Sequence, residues 1–198
     1  LFLIWVIQMF SIKLIKIIDF ILSIIILVII TPILILFILL NFFIMGFPIF
    51  FISKRIGLNG IEFKLIKFRS MDIKTKLDDP DKISSYGKFL RRTSIDELPQ
   101  LLNILTGDMS LIGPRPLPKS IEDNIKKEHA LQRRNVKPGI TGYSQINYSG
   151  KKRSLNEKIK LDLYYIENLN ILIYFKIIFL TPVTLIKRFI FNRKGSTL

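Results

Sequence analysis

The sequence predicts an α+β fold, which we expect to be a mostly helical, membrane-associated domain with one short β-hairpin. Three observations carry this prediction: residues 20–52 are uncharged, residues 57–60 form a turn signal between two β-prone segments, and the apolar segment Ile171–Phe191 has spaced basic residues. The chain is therefore predicted to contain a membrane-embedded segment, residues 1–52, and a basic polar domain with interfacial C-terminal helices, residues 53–198.

Charge is distributed unevenly between these two parts. The only charged residues before residue 53 are Lys13, Lys16 and Asp19, whereas the remaining 146 residues contain 28 Lys and Arg against 14 Asp and Glu. A basic domain beside an apolar segment indicates anionic lipids, phosphorylated substrates or nucleic acid as partners. It also favours the cytoplasmic side of a membrane, where basic residues accumulate.

The residue types that are scarce exclude several kinds of site. The chain contains no cysteine, so it has no disulfide framework, thiolate metal site or thiol nucleophile. His129 is the only histidine, which argues against a histidine-rich metal cluster or a histidine-based catalytic triad.

The apolar segment of residues 20–52 fits a membrane in two ways. As a straight helix it is roughly 50 Å long, at about 1.5 Å per residue. A bilayer core is about 30 Å thick, so the segment is too long for one comfortable span and too short for two. A tilted spanning helix and a re-entrant helical hairpin both remain open. Thr31-Pro32 within the segment, and basic residues on both flanks at Lys16 and Lys54, favour a hairpin that is broken near Pro32.

The polar domain begins with signals for a β-hairpin. Residues 47–52 and 61–68 are β-prone, and the glycine-containing turn of residues 57–60 separates them. Residues 73–85 are polar and acidic and are predicted to form a solvated loop. Residues 86–92 are predicted to form a short basic helix.

An acidic pair, Asp96-Glu97, lies in the next predicted helix, residues 93–105, which Gly107 closes. One interpretation is structural, because Ser94 and Glu97 have the spacing of a capping box. The other is functional: two carboxylates at a helix N-terminus lie beside free N–H groups that can hold a phosphate.

Arginines and glycine-containing turns surround this pair in the sequence. Arginine suits planar, bidentate contacts with phosphate. Residues 113–116 form a rigid turn that presents Arg115, and residues 138–142 form a second loop whose glycines allow close approach to a ligand. Each motif alone is also compatible with an ordinary turn.

Five motifs in order along the chain together resemble the bacterial sugar transferase family, the monotopic phosphoglycosyl transferases. The resemblance extends from about Lys16 to about Arg188. The motifs are KFRSM (residues 67–71), RRTSIDELPQ (91–100), GDMSLIGPRP (107–116), KPGITGYSQIN (137–147) and LDLYY (161–165).

Members of that family transfer a sugar 1-phosphate from a UDP-sugar to polyprenyl phosphate and release UMP, as the first membrane step of glycan assembly. The resemblance implies that Asp96 is a nucleophile that forms a covalent phospho-sugar intermediate. It implies that Glu97 orients or deprotonates a partner, and that Asp96 and Glu97 hold Mg²⁺. Carboxylates suit both tasks. It also implies a bacterial inner membrane location, with the catalytic domain on the cytoplasmic face.

The substrate-binding residues that the motifs predict are Lys67, Arg69, Arg91, Arg92, Arg115, Gly139, Thr141, Gln145 and Asp162. Of these, Arg115 is the most rigidly placed. Asp162 is expected either to support metal or sugar, or to be a helix-surface acid paired with a lysine. The chain departs from the family pattern at Tyr143-Ser144 and at residues 147–150, which leaves the sugar open.

Three further alternatives follow from the sequence. Segment Ile171–Phe191 is either an amphipathic helix at the membrane interface or a buried core helix. The protein is either an active transferase or an inactive membrane scaffold of the same fold. A membrane-anchored nucleic-acid binder is the third reading, but the arginines cluster around turns and an acidic pair, so no nucleic acid partner is expected.

Overall fold

The computed structural model describes the backbone of residues 2–72, 83–147 and 153–191, with side chains from residue 14 to residue 190 within those ranges. Helices predominate, and two small sheets accompany them, so the predicted α+β class is confirmed. The helices are α1 Phe2–Met45, α2 Ser85–Thr93, α3 Gln100–Leu105, α4 Lys119–Glu122, α5 Lys127–Arg133, α6 Tyr143–Ile146, α7 Leu155–Glu167 and α8 Ile171–Phe191. The predicted loop of residues 73–85 lies mostly outside the described residues.

Helix α1 is continuous from Phe2 to Met45 and includes Pro32. The helix is therefore not interrupted at Thr31-Pro32, where the break was predicted. A proline removes a single backbone donor, and the hydrogen bonds of the neighbouring turns keep the chain helical. The Thr31 hydroxyl also donates to the Leu27 carbonyl at 2.7 Å, inside the helix. A bend that returns the chain to the same face of a membrane stays a prediction.

Among the described residues, Leu14–Met45 is the one helical segment that is long and apolar enough to cross a membrane, judged by length and composition. Many of its apolar side chains are exposed; Val28 and Ile29, for example, are each 68% exposed. Such a contiguous exposed apolar surface is unusual for a soluble domain. It supports association with a membrane.

Both ends of this apolar segment are held by the polar domain. Near its start, the buried Asp19 carboxylate accepts hydrogen bonds from the Ser110 hydroxyl, the Leu111 amide and the Tyr174 hydroxyl. Near its end, the buried Asn41 side chain donates to the carbonyls of Ile49, at 2.8 Å, and Arg69, at 3.1 Å. Buried polar groups require such partners, so these contacts attach α1 to the rest of the chain at two places.

The predicted β-hairpin is confirmed. Strands β1 (Phe50–Ile56) and β2 (Glu62–Phe68) pair antiparallel. The turn between them contains Asn59 and Gly60 with φ of 56° and 80°, the left-handed backbone that glycine and asparagine tolerate best. Strand β1 runs across the predicted boundary between residues 52 and 53, so the hairpin begins where the apolar segment ends.

A second sheet joins two segments that the sequence did not pair. Strands β3 (Ser110–Ile112) and β4 (Gly139–Thr141) are parallel neighbours. Their backbones approach so closely that a Cβ atom on Gly139 would lie 2.0 Å from the Gly113 amide nitrogen. The predicted glycine loop is thus required here for packing between two strands.

The hydrophobic core lies between α1, β2, α3, β3, α7 and α8. Its fully or nearly fully buried side chains include Leu65, Met109, Ile112, Tyr174 and Ile177. Removal of such surfaces from water is the main stabilising contribution to the fold. Helix α8 contributes buried Tyr174 and Ile177 on one face, whereas Leu172 and Phe179 are more than 70% exposed. The helix is therefore only partly buried, and its exposed face also carries apolar side chains. Its position at a membrane interface stays a prediction.

Candidate active site

The acidic pair lies in a short connection between two helices. Helix α2 ends at Thr93, Ser94 adopts a left-handed backbone with φ of 59°, and a single 3₁₀ turn, Ile95–Glu97, follows. The prediction of one helix over residues 93–105 is therefore wrong, and so is the capping box, because Ser94 makes no side-chain capping bond. The Glu97 N–H is bonded to the Ser94 carbonyl, so it is not available to hold a phosphate.

Asn103 in α3 fixes this connection against the β-hairpin. Its amide nitrogen donates to the Lys64 carbonyl at 2.8 Å, and its oxygen accepts from the Ile66 amide at 3.1 Å. These groups lie on the edge of β2, so a strand edge that would otherwise be unpaired is satisfied by a side chain. The acidic pair is thereby placed beside Lys67, near the end of the same strand.

Glu97 is clamped by two cations. Its Oε1 accepts from Lys67 Nζ at 2.8 Å and from Arg115 Nη2 at 2.7 Å. Burial alone would raise the pKa of Glu97, but Arg115 and Lys67 outweigh burial and lower that pKa to about 2. Glu97 is therefore ionised at any physiological pH, and as a base of such low pKa it is poorly suited to removing a proton.

Asp96 is the less stabilised of the two carboxylates. It is buried, at 7% exposure, and forms no hydrogen bond to any of the described residues. Burial, and next the negative charge of Glu97, raise the pKa of Asp96 to about 6, although Lys67, Arg115 and Arg91 act in the opposite direction. At neutral pH Asp96 is mostly an anion without a bonded partner, which is the state required of a nucleophile.

A second buried ion pair supports Arg115 from behind. The Arg133 guanidinium donates to the Arg115 carbonyl at 2.7 Å and pairs with the Asp162 carboxylate at 3.2 Å. The side chains of Arg133 and Asp162 are each about 5% exposed. The reading of Asp162 as a surface acid paired with a lysine is thus wrong. Arg133 was not among the predicted site residues, because no sequence signal separates it from its neighbour Arg134.

The other predicted arginines have different positions. Arg91 Nε donates to the Ser70 hydroxyl at 2.9 Å, and its charge acts on Asp96. Arg69 donates to the carbonyls of Met45 and Gly46, where it satisfies the end of α1. Arg92 lies over the Phe189 ring at 4.6 Å and donates to the Phe189 carbonyl. Arg69 and Arg92 therefore make structural contacts, although Arg69 Nε is buried without a partner among the described residues.

The predicted residues of the glycine loop contact other parts of the fold. The Thr141 and Thr181 hydroxyls lie 2.9 Å apart, which joins β4 to α8. Gln145 accepts from the Ser144 hydroxyl at 3.0 Å, while its buried Nε2 has no partner among the described residues. Gly139 packs against the backbone of β3. Of this loop, Gln145 alone retains an unpaired polar group.

The oxygen ligands at the acidic pair suit one type of Mg²⁺ site. No group of three or more His, Cys, Asp or Glu suited to a metal occurs within the described part of the chain. Mg²⁺ often uses only one or two carboxylates and completes its shell with water and substrate phosphates. Asp96 has no hydrogen-bond partner within the described ranges, so the pair fits that type of site.

Known proteins with similar sequences belong to one family. The family model described as bacterial sugar transferase matches residues 10–188. A UDP-glucose:undecaprenyl-phosphate glucose-1-phosphate transferase from Xanthomonas campestris is 41% identical over 150 residues, which are 69% of this chain and 31% of that protein.

Two further relatives differ in length and in the sugar that their names state. The uncharacterized sugar transferase EpsL from Bacillus subtilis is 44% identical over 145 residues, 69% of each chain. A UDP-N-acetylgalactosamine-undecaprenyl-phosphate N-acetylgalactosaminephosphotransferase from Aeromonas hydrophila is 35% identical over 153 residues, 72% of this chain and 36% of that protein. The chain thus spans about a third of the length of two of these relatives.

Proposed function

Because the chain belongs to the bacterial sugar transferase family, we propose that it transfers a sugar 1-phosphate from a UDP-sugar to polyprenyl phosphate, of the undecaprenyl type. The observation that carries this proposal is the contrast within the acidic pair. Glu97 is held by Lys67 and Arg115, while the adjacent Asp96 is an unbonded carboxylate in the same cationic surroundings. Names of relatives that act on undecaprenyl phosphate support the acceptor.

In the first step, a carboxylate oxygen of Asp96 attacks the β-phosphorus, which carries the sugar. A bond forms between that oxygen and phosphorus, and the bond from phosphorus to the bridging oxygen breaks. UMP leaves with the bridging oxygen and its electron pair. The raised pKa of Asp96 supports this role, because a carboxylate that is weakly stabilised as an anion is a better nucleophile than one held in a salt bridge.

In the second step, a phosphate oxygen of the polyprenyl phosphate attacks the same phosphorus. The bond to Asp96 breaks and the carboxylate is regenerated. The product is a polyprenyl diphosphate sugar. Two displacements through one covalent intermediate allow the soluble donor and the lipid acceptor to use the same site in turn.

Glu97, Lys67 and Arg115 have a positioning and electrostatic role in this proposal. The low pKa of Glu97 supports an orienting function over the alternative of proton removal. Arg115 and Lys67 stabilise charge on the phosphoryl oxygens, with Arg91 nearby. Mg²⁺ would be held by Asp96 and Glu97, and it would neutralise phosphate charge beside the reacting phosphorus.

Helix α1 sets this site at the membrane surface in our proposal. Asp19 and Asn41 are 22 residues apart, about 33 Å in a straight helix, and both are tied to the polar domain. A helix that enters and leaves by the same leaflet accounts for two attachments to one domain. The net positive charge of the polar domain supports a location on the cytoplasmic face of the inner membrane. In this proposal α8 lies at the membrane interface.

The test is UMP release by the detergent-solubilised protein with polyprenyl phosphate, Mg²⁺ and a panel of UDP-sugars, together with the intact mass after donor is added alone. We expect UMP with at least one donor and a mass increase equal to one sugar phosphate less one water. Asp96→Asn is expected to abolish both, whereas Asp123→Asn, at an exposed acid in the connection after α4, retains them. No UMP from any donor would favour the inactive scaffold, and an active Asp96→Asn protein would overturn the covalent mechanism.

A further inference from the structure

Arg55 in β1 is a cation near the acidic pair that no motif singled out. The antiparallel register pairs it with Phe63, and alternation along β2 places Phe63, Leu65 and Lys67 on one face of the hairpin. Arg55 therefore shares the hairpin face of Lys67, the residue that binds Glu97. Its neighbour Lys54 points to the opposite face, is 79% exposed and pairs with Glu62.

The end of β1 lies against the turn that presents Arg115. The Ile56 amide donates to the Leu117 carbonyl at 3.1 Å. Ile56, Pro114 and Arg115 also line one shared recess. Arg55 is thus adjacent in the fold to the arginine that clamps Glu97, although the two are 60 positions apart in the chain.

Arg55 has no hydrogen-bond acceptor or ion-pair partner within the described ranges, and its Nε is buried without a partner. Burial, and next the nearby charge of Arg115, lower the pKa of Arg55, while Glu97 acts in the opposite direction. Glu97 is already bonded to Lys67 and Arg115. A half-buried guanidinium without an acceptor is costly for a folded protein, unless a ligand supplies one.

Positive charges outnumber negative charges around the acidic pair. Four cations, Lys67, Arg115, Arg91 and Arg55, act on Asp96 or Glu97, which together supply at most two negative charges. The excess positive charge suits a phosphate ligand that brings two or more negative charges.

We infer that Arg55 is a further phosphate-binding residue, which donates from its guanidinium to a phosphate oxygen held beside Arg115. This inference rests on the proposed function for the identity of the phosphate, which is either the donor diphosphate or the lipid phosphate. Both ligands present phosphate oxygens to Arg55, so the test varies the concentration of each substrate separately. Arg55 would bind ligand, while Arg69 and Arg92, which the motifs predicted, keep their contacts within the fold.

The test compares Arg55→Gln with Lys54→Gln, a matched loss of charge on the opposite face of the same strand. KM is measured for the UDP-sugar at saturating polyprenyl phosphate, and then for polyprenyl phosphate at saturating donor. A charge-assisted hydrogen bond is expected to change KM on the order of tenfold or more, in the donor arm or in the acceptor arm. Lys54→Gln is expected to change neither. If both KM values of Arg55→Gln equal those of the wild type, the inference is wrong.

Two measurements on the wild type do not depend on turnover or on the folding of a variant. Inorganic pyrophosphate is expected to raise the Tm, and to protect Arg55 from an arginine-selective dicarbonyl reagent, as read by mass spectrometry. An unprotected Arg55 would overturn the inference even if the enzyme is active. A protected Arg55 in a protein that releases no UMP would retain the phosphate site and reject the proposed function.

Discussion

Asp96 and Glu97 are adjacent in the chain, yet Glu97 Oε1 has two cationic partners within 2.8 Å and Asp96 has no hydrogen-bond partner among the described residues. Burial raises the pKa of both carboxylates, but Arg115 and Lys67 outweigh burial at Glu97, so the values separate to about 6 for Asp96 and about 2 for Glu97. Pairs of carboxylates with separated pKa values have separate tasks. The negative charge of Glu97 also contributes directly to the raised pKa of Asp96.

The first prediction concerns the pH dependence of the first step. The nucleophile must be ionised, so the rate of intermediate formation from the donor should be half-maximal near pH 6 and fall about tenfold per unit below it. Single-turnover UMP release between pH 4.5 and 8 measures this directly. A flat profile across pH 6 would contradict the role of Asp96 as the free carboxylate.

The second prediction concerns the stability of Asp96→Asn. The folded-state pKa of Asp96 is raised above its unfolded value of 3.8, so protonation stabilises the fold at low pH, and that stability is lost as the pH rises through about 6. The neutral Asn variant should therefore have a Tm a few degrees above the wild type at pH 7.5. The two proteins should converge at pH 4. Asp123→Asn, at an exposed acid, should show no such difference at either pH.

The third prediction concerns Glu97→Gln. The substitution leaves the partly buried cations of Lys67 and Arg115 without their counter-ion, and the loss of one partner from a buried pair costs on the order of 3 kcal/mol. Chemical denaturation should show a lower free energy of unfolding. The control is Glu62→Gln, which removes the exposed pair with Lys54 and should cost less than about 1 kcal/mol. Equal effects of the two substitutions would argue against a buried clamp.

The fourth prediction concerns Arg133, which supports Arg115 through its backbone carbonyl and is held by Asp162. Arg133→Lys loses the forked geometry that makes both contacts, so Arg115 should be less well positioned and the KM for the donor should rise several-fold. Arg134→Lys, which weakens the neighbouring pair with Glu122, serves as the matched control. A fall in Tm for Arg133→Lys without any change in KM would reduce its role to packing.

The fifth prediction concerns the path of α1. Because the chain has no cysteine, single cysteines at Lys13 and Lys54 report the two flanks of the apolar segment. A re-entrant path predicts that a membrane-impermeant maleimide labels neither position in intact cells and both after permeabilisation of the inner membrane. Labelling of one flank only in intact cells would establish a spanning helix.

Several features followed from the sequence by itself, because each depends on local composition or on short spacing. These are the uncharged segment, the β-hairpin with its turn, the short basic helix before the acidic pair, and the apolar helix Ile171–Phe191. Asp96, Glu97, Lys67 and Arg115 were selected by motif, and the structure brings these four together. Local patterns suffice where neighbouring residues in the chain decide the outcome.

Only the tertiary structure decided which charges meet. Arg69, Arg92, Arg115 and Arg133 are all arginines, but the first two satisfy backbone carbonyls. Arg115 instead forms a partly buried ion pair with Glu97, and Arg133 forms a buried one with Asp162. Partners of a long, flexible side chain are set by segments far away in the chain, so spacing carries no information about them. The apolar segment likewise had the composition of a membrane helix from the start. The attachment of its helix to the polar domain at both Asp19 and Asn41 is visible only in contacts between segments far apart in the chain.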